Sequence, residues 1–416
     1  MRRETRSIHP IVSSYLPYTL YLIPYLFGLF VWQLTFKAEY MKIKAAVLYE
    51  MAKSRPYDES NPLQIEAVDL STPGYNEVLV KIHAAGLCHS DLSVIDGSRA
   101  RPLPMVLGHE ASGEVMECGA GVNDLKQGDH VVFSFVPMCG HCMPCTTGRP
   151  ALCEPGAVAN TKGTLLEGGI RLKDHSHHDL RHHLGVSAFA EYVVASRRSL
   201  VKINTAIPYE ISALFGCAVL TGVGAVINTA RLTAGQTIVI AGLGGVGLAA
   251  VLGALSGGAA SVIAADINPY KRAIALQLGA HHVIDPADSN AIQQVKDLTG
   301  GGVDIAVEFA GAIKALEFAY AVTKRGGTTV TAGLPHPSHT FSLSPAILVG
   351  EERTLKGSYL GSCIPSRDIP AFISLYQTGR LPVNKLLSHT IALEQINEGF
   401  ERLANGDALR QVVSFA

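Results

Sequence analysis

Four cysteines fall within fifteen residues, at a spacing that suits one metal ion better than four separate thiols. Cys139, Cys142, Cys145 and Cys153 occur in the run CGHCMPCTTGRPALC, which reads C-x2-C-x2-C-x7-C. Four thiolates can surround Zn²⁺ tetrahedrally, and a site with every position filled leaves no place for a substrate. The run therefore predicts a structural zinc lobe, remote from any chemistry. Two disulfides, four unrelated thiols or an iron–sulfur cluster are the alternatives, and disulfides are typical of smaller, secreted chains.

A glycine-rich turn predicts a dinucleotide site. The segment TIVIAGLGGVGLAAVLGAL places Gly242, Gly244 and Gly247 in the G-x-G-x-x-G register between a predicted strand and a predicted helix. These glycines permit a tight turn, close approach to pyrophosphate and close helix–strand packing, and the helix N-terminus faces the anion. Asp266 ends the next strand, where a carboxylate accepts hydrogen bonds from the ribose and repels a 2′-phosphate. With Lys271 close by, the pattern favours NAD over NADP; the alternative for Asp266 is a helix cap or turn.

Three further residues offer ligands for a second metal ion. Cys88 lies in GLCHSDLSVIDG, His109 in GHEASGEV and Cys217 in FGCAVLTG. Two thiolates and an imidazole leave the fourth position of Zn²⁺ open, as a catalytic site requires. Taken singly, each cysteine also suits a small buried side chain, and the histidine suits a core position. In a chain that also carries the cysteine lobe and the glycine turn, the three predict a catalytic zinc.

The composition and the local patterns predict two domains. The chain has 416 residues, and its 34 Lys and Arg nearly balance 35 Asp and Glu without a basic stripe, so nucleic acid is not an expected partner. Residues 41–211 alternate in short runs between turn residues, which is typical of an antiparallel β-rich domain. The segment ALFGCAVLTGVGAVINTA then predicts one long buried helix.

The second half predicts a parallel sheet with helices on both faces. Six apolar strand candidates alternate with helices, as such sheets require: TIVIAG, SVIAAD, HHVID, VDIAVEF, TTVTAG and TLKGSYLG. The tail adds two predicted helices, DIPAFISLYQTG and LEQINEGFERLANG, and a final strand, LRQVVSFA. We expect this tail to return to the first domain.

The first forty residues differ from the rest. Residues 7–36 contain no Asp, Glu, Lys or Arg and are long enough to span a bilayer, although Pro17 and Pro24 interrupt the run. No small-residue cleavage site follows, and Met41 begins a convincing first strand, MKIKAAVLYE. We consider three interpretations of this run, in order of preference: a misplaced start codon, a membrane anchor and a cleaved signal peptide. A membrane is a partner only if residues 1–40 are native. Zinc thiolates prefer a reducing compartment, which favours the cytoplasm.

In this order, the motifs resemble the zinc-containing alcohol dehydrogenases of the medium-chain dehydrogenase/reductase superfamily. The resemblance covers roughly Met41 to Ala416 and rests on GLCHSD, GHEASG, the cysteine lobe, FGCAVLTG, GLGGVG with Asp266, and LRQVV. It implies an α/β fold in which a Rossmann dinucleotide-binding domain joins a GroES-like β-rich catalytic domain. The implied division is an apolar extension (1–40), the catalytic domain with the zinc lobe (41–218), the NAD-binding domain (219–358) and a return to the catalytic domain (359–416).

The resemblance also implies a role for each matching residue. Cys88, His109 and Cys217 bind the catalytic zinc, and Glu110 is a nearby carboxylate or a transient ligand. Asp91 matches the acid that hydrogen-bonds the zinc histidine, and Ser90 matches the hydroxyl that hands on the alcohol proton. The implied cofactor contacts are His89 and Arg410 at the pyrophosphate, the turn Gly242, Gly244, Gly245, Val246 and Gly247, Asp266 and Lys271 at the ribose, and Thr221, Val246 and Ala332 along the nicotinamide.

Two features depart from the simplest form of that pattern. Some family members carry a histidine three residues after the relay hydroxyl, whereas this chain has Ser93, so proton exit through water or the cofactor ribose is expected. The run HSHHDLRHHLG is rich in histidine, and the family often has His-His-x-Leu-Gly there. We interpret its histidines as surface and packing residues with adventitious metal affinity: His175, His177, His178, His182 and His183.

The implied function is reversible oxidation of alcohols to aldehydes or ketones, with NAD as hydride acceptor and two zinc ions per subunit of a homodimer or homotetramer. A glutathione-dependent formaldehyde dehydrogenase, or a formaldehyde-dismutating relative, would share all these parts. Polyol dehydrogenases fit less well, because Cys217 supplies the third ligand and the lobe is complete. A zinc-less reductase or a non-catalytic binding protein is the alternative from another class.

Overall fold

The computed structural model describes residues 40–415, so the apolar run predicted at the N-terminus lies outside the described residues. The first part is β-rich. Its strands are β1 (Tyr40–Leu48), β2 (Leu63–Ser71), β3 (Glu77–Gly86), β4 (Met105–Val106), β5 (Glu110–Cys118), β6 (His130–Phe133), β7 (Leu172–Lys173), β8 (Asp179–His182), β9 (Tyr192–Ser196) and β10 (Leu200–Ile203). Five of them close a barrel in the order β1-β2-β7-β8-β4. Most pairs are antiparallel as predicted, but β4 and β8 are parallel.

The second part contains the six predicted strands, in one parallel sheet. They are β11 (Thr237–Ala241), β12 (Ser261–Ala265), β13 (His282–Ile284), β14 (Val303–Glu308), β15 (Thr323–Thr331) and β16 (Thr354–Gly357). Their spatial order is β13-β12-β11-β14-β15-β16, which is the Rossmann order. Such sheets bind ligands where the order reverses, here between β11 and β14. The predicted α/β fold is confirmed.

The chain then returns to the β-rich part. Strands β17 (Leu387–Ile391) and β18 (Arg410–Ser414) extend a sheet with the order β10-β6-β5-β3-β18-β17, and β9 also pairs with β3. The predicted final strand is therefore present, whereas β17 was not predicted. In β18, Val412 pairs with Gly86 of β3.

Helices connect these sheets. The α-helices are α1 (Tyr57–Ser60), α2 (His89–Ile95), α3 (Met143–Thr146), α4 (Glu154–Lys162), α5 (Tyr209–Ala213), α6 (Ala218–Gly224), α7 (Gly245–Ser256), α8 (Pro269–Gln277), α9 (Ala291–Thr299), α10 (Ile313–Val322), α11 (Pro345–Gly350), α12 (Pro365–Gln377) and α13 (Ile396–Asn405). Short 3₁₀ turns occur at Pro150–Leu152, Arg197–Ser199, Leu214–Gly216, Leu360–Ser362, Val383–Leu386 and Leu393–Gln395. Helices α12 and α13 correspond to the two predicted for the tail.

The single long helix predicted after residue 211 is wrong. The chain bends by 50° between Tyr209–Gly216 and Ala218–Thr229, and Ala225–Thr229 is π-helical. The two halves pack against different elements, β6 and α7. A Cβ on Gly216 would lie 2.5 Å from the carbonyl oxygen of Phe133 in β6, and one on Gly222 would lie 2.2 Å from a carbonyl of α7. A straight helix cannot make both approaches, so it breaks at Cys217.

No single helix between residues 40 and 415 combines the length and apolar composition needed to cross a membrane. The bent pair Tyr209–Gly216 and Ala218–Thr229 meets those two criteria when its halves are taken together.

Candidate metal and cofactor site

The four-cysteine run folds around a common centre. The sulfur of each side chain lies within 4.8 Å of the others, and the Sγ–Sγ separations of Cys139 from Cys145 and of Cys142 from Cys153 are both 4.0 Å. A disulfide needs about 2.05 Å, whereas four thiolates on one zinc are about 3.8 Å apart. All four cysteines are free. The donor set therefore fits a tetrahedral zinc.

Backbone N–H groups point at these sulfurs. Cys139 N donates to Cys153 Sγ at 3.3 Å, Gly156 N donates to the same sulfur at 3.4 Å, and Cys142 N donates to Cys139 Sγ at 3.3 Å. Burial raises the pKa of the Cys142 thiol, but backbone N–H groups and the thiols of Cys139 and Cys145 together outweigh it and lower that pKa to about 6. This shift favours the thiolate at Cys142, the form that binds a metal, whereas burial raises the pKa of Cys145 to about 12 and also raises that of Cys153.

A second cluster joins three residues that are far apart in the sequence. The ligand atoms of Cys88, His109 and Cys217 all lie within 4.8 Å of one another, and each residue is at most 6 % exposed. The Cys217 thiol donates toward Cys88, and this contact, together with the nearby His109, lowers the pKa of Cys88 despite burial. Two sulfurs and one imidazole form the donor set of a three-ligand zinc with an open fourth position. Cys88, His109 and Cys217 therefore fit a catalytic zinc ion.

Each of the three comes from a different element. Cys88 immediately precedes α2, His109 precedes β5 at the end of the segment that follows β4, and Cys217 occupies the break before α6. The 50° bend at this break separates the approach to β6 from the approach to α7, and it leaves Cys217 at the junction. The site therefore forms only when three segments that are distant in the sequence pack together.

Asp91 holds the histidine of this cluster. Its Oδ1 lies 3.1 Å from His109 Nδ1 and accepts Gly108 N at 3.1 Å, while Oδ2 accepts Cys88 N at 3.3 Å. Because a carboxylate accepts, His109 carries its proton on Nδ1 and keeps Nε2 free. Burial raises the pKa of Asp91, but the neighbouring imidazoles outweigh it and lower the pKa to about 2.

An inward-facing ion pair lies beside the cluster. Arg410 Nη2 is 2.9 Å from Glu110 Oε2, with side-chain exposures of 4 % and 0 %. Arg410 Nη1 also donates to the Leu87 carbonyl at 2.9 Å. Burial raises the pKa of Glu110 to about 7, and the Arg410 charge opposes that rise. Arg410 also approaches the glycine turn, because a Cβ on Gly245 would lie 2.6 Å from its Nε.

The glycine turn has the form that the sequence predicts. Gly242 follows β11 with φ +91°, and a Cβ on Gly247 would lie 1.8 Å from the Gly242 carbonyl, so neither position tolerates a side chain. Around Gly244 no atom lies within 4 Å of an added Cβ, which leaves an open cradle at the start of α7. An open cradle at a helix N-terminus fits a pyrophosphate.

Asp266 lies beside this turn. Its Oδ2 accepts Leu243 N at 2.7 Å, and its Oδ1 accepts Asn268 N at 2.8 Å. Each carboxylate oxygen has two lone pairs, so both oxygens retain capacity for ribose hydroxyls. Lys271 follows in the first turn of α8, and a Cβ on Gly406 would lie 3.6 Å from its Nζ.

The other predicted site residues all keep some exposure to solvent. His89 is exposed, while Ser90, Thr221, Val246 and Ala332 are partly buried. A cavity of about 410 Å³ is lined by Ala332 and Tyr359 from one side and by Arg149, Ala151 and Leu152 from the other. The latter three belong to the cysteine lobe, which therefore forms one wall of this cavity. None of Cys88, His109 and Cys217 lines the cavity, so the expectation that the lobe is remote from the chemistry stays a prediction.

The histidine run divides in two. His175, His177 and His178 are exposed, whereas His182 and His183 are fully buried, which agrees with the predicted mixture of surface and packing positions. His183 Nδ1 lies 3.0 Å from Asp91 Oδ1, a contact that the sequence did not predict. The only sequence signal was the His-His-Leu-Gly run itself, which says nothing about a partner 92 positions earlier.

Comparisons with known proteins agree with this geometry. Residues 74–205 match the family described as "Alcohol dehydrogenase GroES-like domain", and residues 245–378 match "Zinc-binding dehydrogenase". A Mycobacterium tuberculosis protein provisionally named alcohol dehydrogenase D is 41 % identical over 377 residues, which cover 90 % of this chain and 100 % of that protein. The NDMA-dependent alcohol dehydrogenase of Amycolatopsis methanolica is 39 % identical over 386 residues, covering 90 % and 99 %.

The fold has a solved counterpart as well. The crystal structure of benzyl alcohol dehydrogenase from Acinetobacter calcoaceticus matches with a TM-score of 0.84 and 33 % identity, covering 90 % of this chain and 100 % of that one. The chain therefore belongs to the zinc-binding alcohol dehydrogenase family of the medium-chain dehydrogenase/reductase superfamily.

Proposed function

We propose that this chain reversibly oxidises alcohols to aldehydes or ketones, with NAD as the hydride acceptor and two zinc ions per chain. One observation carries the proposal. The buried Cys88, His109 and Cys217 set offers a metal an open position, and the same structure holds an open cradle at the glycine turn. The names of the relatives, including one that acts on benzyl alcohol, support the substrate class.

The residues have separate tasks in this proposal. Zinc, when bound, supplies Lewis-acid polarisation of the substrate oxygen, and NAD supplies the hydride acceptor. His109 presents Nε2 because Asp91 occupies Nδ1. Ser90, in the first turn of α2, takes the proton of the substrate hydroxyl while its own hydroxyl proton passes to water or to the cofactor ribose. Ser93 does not continue that route as a histidine would, because its hydroxyl already donates to the His89 carbonyl at 2.8 Å.

The remaining assignments form part of the same proposal. Cys139, Cys142, Cys145 and Cys153 hold the structural zinc, and Glu110 acts beside the catalytic one. His89 and Arg410 contact the pyrophosphate, while Thr221, Val246 and Ala332 line the nicotinamide. The catalytic domain is assigned to 41–218 and 359–416, and the NAD-binding domain to 219–358.

Asp266 should select NAD over NADP. We expect Asp266→Asn to raise the KM for NAD⁺ about tenfold, because a charge-assisted hydrogen bond to the ribose is weakened, and to lower the KM for NADP⁺. Asparagine still accepts Leu243 N, so the glycine turn should persist. Initial rates at saturating alcohol check this, with Asp297→Asn on the exposed face of α9 as the matched control. Unchanged KM values for both cofactors would remove Asp266 from the cofactor site.

A second candidate differs in the electron acceptor. The name of the Amycolatopsis relative assigns it a dependence on NDMA. Under this alternative the chain oxidises alcohols only when NDMA is supplied. A glutathione-dependent formaldehyde dehydrogenase and a formaldehyde-dismutating enzyme remain the substrate alternatives.

One assay series separates these candidates. Purified, zinc-loaded protein is given benzyl alcohol, primary, secondary and polyol alcohols, and formaldehyde with and without glutathione, each with NAD⁺ alone and with NAD⁺ plus NDMA. NADH formation from alcohols and NAD⁺ alone supports the first proposal, and turnover only with NDMA supports the second. No turnover in any arm, from protein that carries two zinc ions, would contradict both.

The proposal includes the assembly and the compartment. We expect a homodimer or homotetramer by analogy with the family. We expect a reducing compartment such as the cytoplasm, because the eight free cysteines include two clusters of metal-binding thiols. Light scattering of the purified protein measures the first, and fractionation of the source cells measures the second.

A further inference from the structure

His183 and His109 share one carboxylate oxygen. Asp91 Oδ1 lies 3.0 Å from His183 Nδ1 and 3.1 Å from His109 Nδ1. The three side chains are at most 2 % exposed, and the two imidazole rings meet edge to face, with centroids 5.5 Å apart and an angle of 89° between their planes. His183 is therefore the second imidazole on the acid that orients the proposed zinc histidine.

Backbone pairing brings the two histidines together. In the parallel pair of β4 and β8, Val106 lies opposite His182, so each strand delivers its histidine just beyond the ladder. The following loop then wraps the His109 segment, because Ala188 N donates to the Gly108 carbonyl at 3.0 Å. His183 itself is held by its backbone N–H, which donates to Ser187 Oγ at 2.9 Å.

Asp91 does not need His183 to hold its position. Backbone N–H groups of Cys88 and Gly108 already fix one oxygen each, and both groups belong to segments next to proposed ligands. His183 Nδ1 has no hydrogen-bond partner within the described part of the chain, although it lies 3.0 Å from Asp91 Oδ1. A donor 3.0 Å away still draws charge from that oxygen. His183 therefore does not place Asp91. Its N–H competes with the His109 N–H for the Oδ1 atom of Asp91.

We propose that His183 is a positioning residue that weakens the pull of Asp91 on the His109 N–H, and thereby keeps His109 a weaker donor to the catalytic metal. A carboxylate that accepts fully from a ligating imidazole raises the basicity of that ligand. Sharing the oxygen with a second N–H reduces the effect. The proposal rests on the proposed catalytic zinc, and it assigns a role to one histidine of a run that the sequence marked as packing.

Two substitutions at position 183 separate the effect of the N–H donor from the effect of the space that the side chain fills. Asparagine places an N–H₂ near the position of Nδ1, whereas leucine fills space without any donor. With Co²⁺ in the Cys88, His109 and Cys217 site, His183→Leu should shift the d–d absorption bands to shorter wavelength and lengthen metal retention against a chelator about threefold to tenfold. The kcat/KM for alcohol should fall by a similar factor. His183→Asn should resemble the parent protein in all three measurements.

His182→Gln is the matched control. His182 is equally buried on β8, but its Nε2 accepts Arg171 N at 3.1 Å on the other side, and glutamine can keep that acceptor. If His183→Leu leaves the cobalt bands and metal retention unchanged, the proposal fails. It also fails if His183→Asn, His183→Leu and His182→Gln all release metal faster, since that is a general loss of packing. The cobalt readouts need no turnover, so absence of alcohol oxidation would contradict the proposed function alone.

Discussion

Replacing Cys217 by serine is expected to lower kcat/KM for alcohol oxidation by at least about three orders of magnitude, equivalent to about 4 kcal/mol of transition-state stabilisation. A serine hydroxyl stays protonated near neutral pH and is a poor zinc ligand, so the three-ligand site loses a thiolate. The substitution is nearly isosteric at a position that is 5 % exposed, so the fold should persist.

Metal content and activity together check this result. Elemental analysis should fall from two zinc ions per chain toward one, while far-ultraviolet circular dichroism and the thermal midpoint change little. Cys118→Ser is the control, because Cys118 is a free, partly buried cysteine that belongs to neither cluster. Activity within tenfold of the parent, with two zinc ions retained, would exclude Cys217 as a ligand.

The second large effect is expected at the cysteine lobe. Cys153→Ser should lower the thermal midpoint by at least about 5 °C, because the binding energy of a structural zinc contributes directly to folding. Cys153 is 0 % exposed and accepts N–H groups from Cys139 and Gly156, so its loss opens the loop from within. Differential scanning calorimetry measures the decrease in thermal midpoint, and zinc analysis measures the accompanying loss of one zinc ion per chain.

The lobe also carries a catalytic consequence that follows from the cavity. Arg149, Ala151 and Leu152 lie just before Cys153 and line the same cavity as Ala332, which the proposal places along the nicotinamide, so the KM for NAD⁺ should rise even at temperatures where the variant is folded. Cys118→Ser again serves as the control. A thermal midpoint and zinc content equal to those of the parent would mean that the four cysteines do not bind a structural metal.

Local patterns predicted much of this protein. The six strands from TIVIAG to TLKGSYLG were readable because strands buried on both faces are continuously apolar. The glycine turn and the four-cysteine run were readable because their chemistry depends on residues within one short loop. Cys88, His109 and Cys217 became a set only through the order of the motifs, since each alone is ambiguous.

The tertiary structure decided what depends on residues that are distant in the chain. The break at Cys217 arises because Gly216 packs on β6 while Gly222 packs on α7, and a helical pattern carries no information about two partners. The contact of His183 with Asp91 depends on β4 and β8, which pair over only two residues and have no sequence signature. The sequence by itself therefore determined the family of chemistry and its ligand types. Only packing between segments decided how those ligands are oriented, because orientation depends on contacts that no local spacing encodes.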